Sequence, residues 1–168
     1  LNYGQVTGLV DALEKDDRVC SNFSSVYVKK TWPACQKIQS GNAIFTFPNT
    51  PIKCAGAPQK ICYLIEDCFT RHNKRDNINV MYNTSLPVIF GVPKYADALM
   101  ELVERRNIQL NTRQNLIEVK PETSEAVFEL LDSESKPKET KTYKYDFLHA
   151  TPPMSTPSQL WDTPLVDA

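Results

Sequence analysis

Between residues 41 and 110, short apolar runs rich in β-formers alternate with stretches whose apolar residues recur at helical spacing. Short links carrying Gly or Pro separate them, and three alternating, β-rich segments follow up to residue 145. These observations predict an α/β fold: a parallel sheet flanked by helices, with an antiparallel β-meander appended.

Taken in order, residues 1–23 are polar and irregular and read mainly as a connector, with at most a helical turn around Leu9–Leu13. From Ser24 to Gln39, Val28, Trp32, Cys35 and Ile38 recur at helical spacing, and Gly41 offers a stop; Pro33 kinks this helix or makes it start later. Asn42–Phe47 reads as a strand buried on both faces. After the loop 48–57, Pro58 suits the first turn of a helix whose stripe is Ile61, Leu64, Ile65, Cys68 and Phe69. Ile78–Tyr82 is a second strand. Pro93 opens a helix with the stripe Tyr95, Ala98, Leu99, Leu102 and Val103, and Ile108–Leu110 is a third strand. Leu116–Val119, Glu125–Leu131 and Thr140–Tyr145 form the meander, with Asp132–Glu139 as an exposed hairpin tip. Phe147–Ala150 can return to the parallel sheet, and the proline-rich residues beyond Pro153 are extended. The organisation expected is therefore a connector over 1–23, a domain over 24–153 and an extended linker over 154–168.

Composition excludes several functions. With 168 residues, 41% hydrophobic and 23% charged, the chain can bury a core. A net charge of -1 gives no electrostatic case for nucleic acid or an anionic membrane as partner. No apolar run reaches the roughly 20 residues a membrane helix needs. The chain opens on Leu1 without a leader pattern, and both ends read as cut. Five cysteines with no Cys-x-x-Cys, and two widely separated histidines, argue against a structural metal site. The sequons at Asn22 and Asn83 are read as accidental.

A strand, a glycine-containing loop and a helix invite a dinucleotide-binding reading. The fingerprint Gly-x-Gly-x-x-Gly brings backbone amides against a pyrophosphate at a helix N-terminus. Here the loop holds only Gly56, while Pro48, Pro51 and Pro58 remove amide donors. The second strand runs into Tyr82-Asn83-Thr84 rather than an acidic residue that could hold a ribose. The segment reads as a Rossmann-like domain, of NAD type, whose nucleotide site has degenerated. His149 reads as a core histidine and His72 as a helix-closing one.

Cys54 stands where a nucleotide-binding protein places its phosphate loop, just ahead of a helix N-terminus and beside Lys53. Both features favour a thiolate, the reactive form of cysteine. The small residues Ala55, Gly56 and Ala57 leave room for a flat ring. A small side chain filling a turn fits the same residues, and local chemistry leaves the two readings open. Cys20, Cys35, Cys62 and Cys68 read as structural, with Cys68 in the core and Cys62 at the edge of its helix stripe.

The run Thr46-Phe47-Pro48-Asn49-Thr50-Pro51-Ile52-Lys53-Cys54-Ala55-Gly56-Ala57-Pro58-Gln59-Lys60-Ile61 resembles the cysteine-bearing loop of the eukaryotic, mitochondrial sulfide:quinone oxidoreductases. The likeness continues through Asn83-Thr84-Ser85, Phe90-Gly91-Val92, Lys94–Leu99, Asn115–Val119, Glu125–Glu129 and Thr151-Pro152-Pro153-Met154. The resemblance implies the second dinucleotide-type domain of a flavoprotein disulfide reductase, in this family one without NAD. It implies an oxidoreductase that uses FAD and a redox cysteine pair to oxidise hydrogen sulfide, with ubiquinone as electron acceptor. A cysteine persulfide passes its sulfane sulfur to a small acceptor. By position, Cys54 matches the cysteine that faces the flavin, with Lys53, Ala55, Gly56, Pro152 and Pro153 as possible flavin-side contacts. The partner cysteine, the FAD motif and the membrane-associating part are implied to lie outside this chain, at the mitochondrial inner membrane. An isolated segment is expected to bind no FAD and to be inactive. Two alternatives remain: an NAD(P)H-dependent flavoprotein reductase domain, and a non-enzymatic Rossmann-like binding module.

Overall fold

The computed structural model describes residues 1–161 and 163. Strands β1 (Val19–Cys20), β2 (Gly41–Phe47), β3 (Ile78–Thr84), β4 (Gln109–Asn111) and β8 (Phe147–His149) make one parallel sheet in the order β1-β8-β2-β3-β4. Strands β5 (Gln114–Lys120), β6 (Glu125–Leu131) and β7 (Pro137–Lys144) make an antiparallel meander. This is the predicted architecture, including the return of residues 147–149 to the parallel sheet.

Side-chain alternation along the strands divides the interior. Ala43, Phe45, Phe47, Ile78, Val80 and Tyr82 face helices α2 (Val28–Lys37), α3 (Ala57–Arg71) and α4 (Pro93–Arg105). Ile44, Met81, Val19 and Leu148 face α1 (Leu9–Lys15) and the meander, meeting Leu13, Val119 and Phe128. The outer strand β7 is exposed along nearly its whole length and carries Lys138, Glu139, Lys141 and Lys144, charges that oppose pairing with another strand.

Several local readings need correction. Residues 1–23 carry α1 and β1, and Val6, Leu9, Leu13, Val19 and Cys20 are buried. The signal was weak because β1 has only two residues and α1 seven, too short to show a period. Thr7 donates its N–H to the carbonyl of Ile117 and accepts the N–H of Val119, so this region is sewn to the meander. Helix α2 starts at Val28 with Pro33 inside it, and it buries Thr31, Ala34 and Cys35 while Val28 and Trp32 are exposed. On α3, Leu64 is exposed and Cys62 is buried, whereas Cys68 is only half-buried. The buried stripe is turned toward Cys62, Ile65, Glu66 and Phe69, because Glu66 takes Arg75 and Arg106 as ion partners at 3.2 and 2.9 Å and enters the interior with them. On α4 only Val103 is fully buried. Tyr95 and Ala98 are exposed and line an open apolar groove of about 490 Å³ against Tyr63 and Phe90. Strand β7 begins at Pro137, so the hairpin tip is the turn over residues 132–136. Beyond Pro153, Ser158–Leu160 forms one short 3-10 turn, and the end of the expected linker lies outside the described residues.

Candidate functional site

Strand β2 is the central strand of the parallel sheet, and its carboxyl end opens into the loop 48–56. Cys54 is exposed there, with φ at 59°, in the left-handed region. That conformation costs a non-glycine residue about 1 kcal/mol. Asn73 and Asn107 share it just beyond the ends of α3 and α4, where asparagine is a usual helix terminator. Cys54 has no such local reason; its position is set by the loop around it. Its carbonyl accepts the N–H of Ala57 at 2.9 Å, which turns the chain into α3.

The strand end after β8 holds this loop. Met154 accepts the N–H of Lys53 on Sδ at 3.3 Å and donates its own N–H to Thr50 Oγ1 at 3.0 Å. One step earlier, the N–H of Thr151 donates to Thr46 Oγ1 at 3.0 Å. An open depression of about 620 Å³ lies between Ile52–Lys53 and Met154–Thr156. The structure thus brings Lys53, Cys54, Ala55 and Gly56 together as an exposed loop and places residues 151–154 behind it. Pro152 and Pro153 are buried within the chain. Thr151–Met154 as a whole is buried beneath the loop. Met154 and Thr50 had no prior sequence signal as partners, since the clasp joins residues about a hundred positions apart.

Several of the loop's backbone positions have no free amide to offer a dinucleotide's pyrophosphate. Pro48 and Pro51 lack N–H groups, the N–H of Asn49 is given to Asn115 Oδ1, and those of Lys53 and Ala57 are used within the site. What the loop offers is an exposed thiol flanked by small residues.

Of the other cysteines, Cys20, Cys35 and Cys62 are buried. Burial pushes the thiols of Cys20 and Cys35 up to about 12 and that of Cys62 higher still, so all three stay protonated. His149 is fully buried on β8, as expected, and its Nε2 accepts the N–H of Asn22 at 2.9 Å. Its Nδ1 has no hydrogen-bond partner among the described residues, and desolvation depresses its pKa to about 4. This predicts acid sensitivity. A histidine whose folded-state pKa lies below its unfolded value stabilises fully above the unfolded value, about 6.5, and loses that contribution as pH falls toward 4. The shift corresponds to about 3 kcal/mol. In urea titrations, the stability advantage of the native protein over His149→Gln should shrink by about 1 kcal/mol per pH unit across that window; a constant difference would mean that His149 is not buried neutral. His72 closes α3, with Nδ1 2.8 Å from the carbonyl of Cys68.

Fold and site define a Rossmann-like α/β domain with an exposed loop cysteine in place of a phosphate loop. Comparison with known proteins is more specific. The chain is 50% identical over 168 residues to the mitochondrial sulfide:quinone oxidoreductase of Mus musculus, covering 100% of this chain and 36% of that protein. To the mitochondrial sulfide:quinone oxidoreductase of Dictyostelium discoideum it is 38% identical, over 99% of this chain and 36% of that protein. It is thus a homologue of the mitochondrial sulfide:quinone oxidoreductases that spans about a third of the length of these curated relatives. Among solved structures, the sulfide:quinone oxidoreductase from Aquifex aeolicus superposes with a TM-score of 0.70 at 13% identity, over 91% of this chain and 34% of that one. A chain of the Tetrahymena thermophila mitochondrial ATP synthase gives 0.73 at 15% identity, over 98% and 41%. At those identities the likeness is one of fold alone. No protein-family model matches the chain.

Proposed function

We propose that this chain is the part of a mitochondrial sulfide:quinone oxidoreductase that presents one half of a redox cysteine pair, Cys54. The single observation that carries the reading is the exposure of Cys54 at the carboxyl end of the central strand, in a chain half-identical to a curated enzyme of that name. Hydrosulfide attacks the disulfide between Cys54 and a partner cysteine outside this chain. A sulfur–sulfur bond forms on the partner, the original disulfide bond breaks, and Cys54 leaves as a thiolate with the electron pair. The partner then carries a persulfide, and its sulfane sulfur goes to a small acceptor such as sulfite or glutathione. Re-forming the disulfide releases two electrons, for which FAD held elsewhere in the full-length protein and then ubiquinone are the acceptors this reading implies.

Within the chain, Lys53, Ala55 and Gly56 are the exposed neighbours able to meet a flavin ring, and Pro152 and Pro153 back the loop from inside. The full-length protein is assigned to the mitochondrial inner membrane, and this segment alone to an inactive state. The test is direct. The full-length protein with sodium sulfide and a soluble ubiquinone analogue is expected to reduce the quinone with saturable dependence on sulfide. Quinone reduction driven by NADH or NADPH but not by sulfide would replace this reading with that of a nicotinamide-dependent reductase.

A further inference from the structure

Two cysteines outside the loop lie against each other. Cys35, on α2, and Cys68, in the last turn of α3, are 33 positions apart in sequence, and their sulfur atoms are 3.4 Å apart, with the Cys35 thiol directed at Cys68. Sulfurs at that distance lie within van der Waals contact, the approach that precedes a disulfide bond of about 2.05 Å. The two differ in access: Cys35 is buried, whereas Cys68 is half-buried and reachable from solvent. His72 Nδ1 lies 3.6 Å from the Cys68 sulfur and 2.8 Å from its carbonyl. A proton on Nδ1 serves both.

We infer that Cys35 and Cys68 form a second thiol site, a dithiol that hydroperoxides convert reversibly into a disulfide joining α2 to α3. The asymmetry of access assigns the roles. Cys68, as thiolate, attacks one oxygen of the peroxide; the O–O bond breaks, the sulfur is oxidised by two electrons to a sulfenic acid, and the released hydroxide takes a proton to become water. The Cys35 sulfur then attacks the Cys68 sulfur. The S–S bond forms, the S–O bond breaks, and the second hydroxide leaves with the Cys35 proton as water. Burial holds Cys35 as a thiol, so it resolves the sulfenic acid and does not meet the oxidant itself. His72 Nδ1, in contact with the Cys68 sulfur, positions it.

This site is independent of the redox role proposed for Cys54. Cys68 lies about three turns along α3 from the helix start that follows the Cys54 loop. The two are nevertheless linked through the chain, because the segment closed by a Cys35–Cys68 bond contains β2 and the Cys54 loop. Oxidation therefore restrains the segment that carries the surface thiol.

The experiment treats the full chain with a small excess of hydrogen peroxide, in parallel with its Cys54→Ser variant so that the surface thiol cannot shuttle. Free thiols are alkylated, and the protein is digested without reduction for mass spectrometry. The expected product is a linked Cys35–Cys68 peptide pair lighter by two hydrogens, restored to thiols by dithiothreitol. Thermal unfolding should be shifted upward in the oxidised form. In Cys35→Ala, Cys68 should accumulate as a sulfenic acid trapped by dimedone; in Cys68→Ala, Cys35 should remain a thiol. Recovery of both cysteines as thiols under peroxide that oxidises Cys54 overturns the inference. So does a linked pair no faster to form than links through Cys20 or Cys62, which would mark unfolding.

Discussion

Replacing Phe45 by alanine is expected to lower the stability of the fold by about 3–5 kcal/mol, a large part of the roughly 5–15 kcal/mol available to a domain of this kind. Phe45 sits in the middle of β2, which pairs with β3 on one side and β8 on the other, and its side chain is fully buried. Its ring lies 5.5 Å from that of Phe147 and stacks at 6.1 Å on the imidazole of His149. Removing it leaves a hole bounded by strands that are locked in register on both sides, so the site cannot close over it. The loss appears as a lower urea midpoint with an unchanged slope. Tyr95→Ala, an aromatic substitution on the exposed side of α4, is the control and should cost less than about 1 kcal/mol. Equal losses at the two positions would mean that the core is not centred on β2.

The sequence was most legible where one period ran long enough to repeat. Asn42–Phe47 and Ile78–Tyr82 stood out as short β-rich runs between turn residues, and the three meander strands as alternating or β-rich segments. The return of residues 147–149 to the parallel sheet was legible as a short apolar run after the meander. Less legible was which face of each helix turns inward. Hydrophobicity placed Trp32, Leu64 and Tyr95 inside, but packing selected Thr31, Cys62 and Glu66. A glutamate bridging two arginines fixes the rotation of α3 more firmly than one leucine does, and no local pattern announces partners nine and forty residues away. The exposed loop that carries Cys54 could be placed from its strand–loop–helix setting. The Met154–Lys53 clasp and the Cys35–Cys68 contact could not, since both arise from elements brought together only by the sheet order.

Serine in place of Cys54 should remove sulfide-dependent quinone reduction from the full-length protein, by about 10³-fold or more. The substitution keeps the volume of the side chain and leaves the backbone at the same φ, and Cys54 is exposed, so folding should be unaffected. What is lost is chemical. A hydroxyl forms no disulfide for hydrosulfide to open, and near neutral pH it yields no anion to leave with an electron pair. The effect should therefore fall on turnover, with thermal midpoint and flavin content unchanged. Cys62→Ser would behave oppositely, harming stability by placing a hydroxyl in the core and sparing the chemistry of any protein that folds. The decisive measurement is the rate of sulfide-dependent quinone reduction by full-length Cys54→Ser beside the native protein at equal flavin content. Turnover reduced to background is the result predicted; turnover close to native would show that Cys54 is not half of the redox pair.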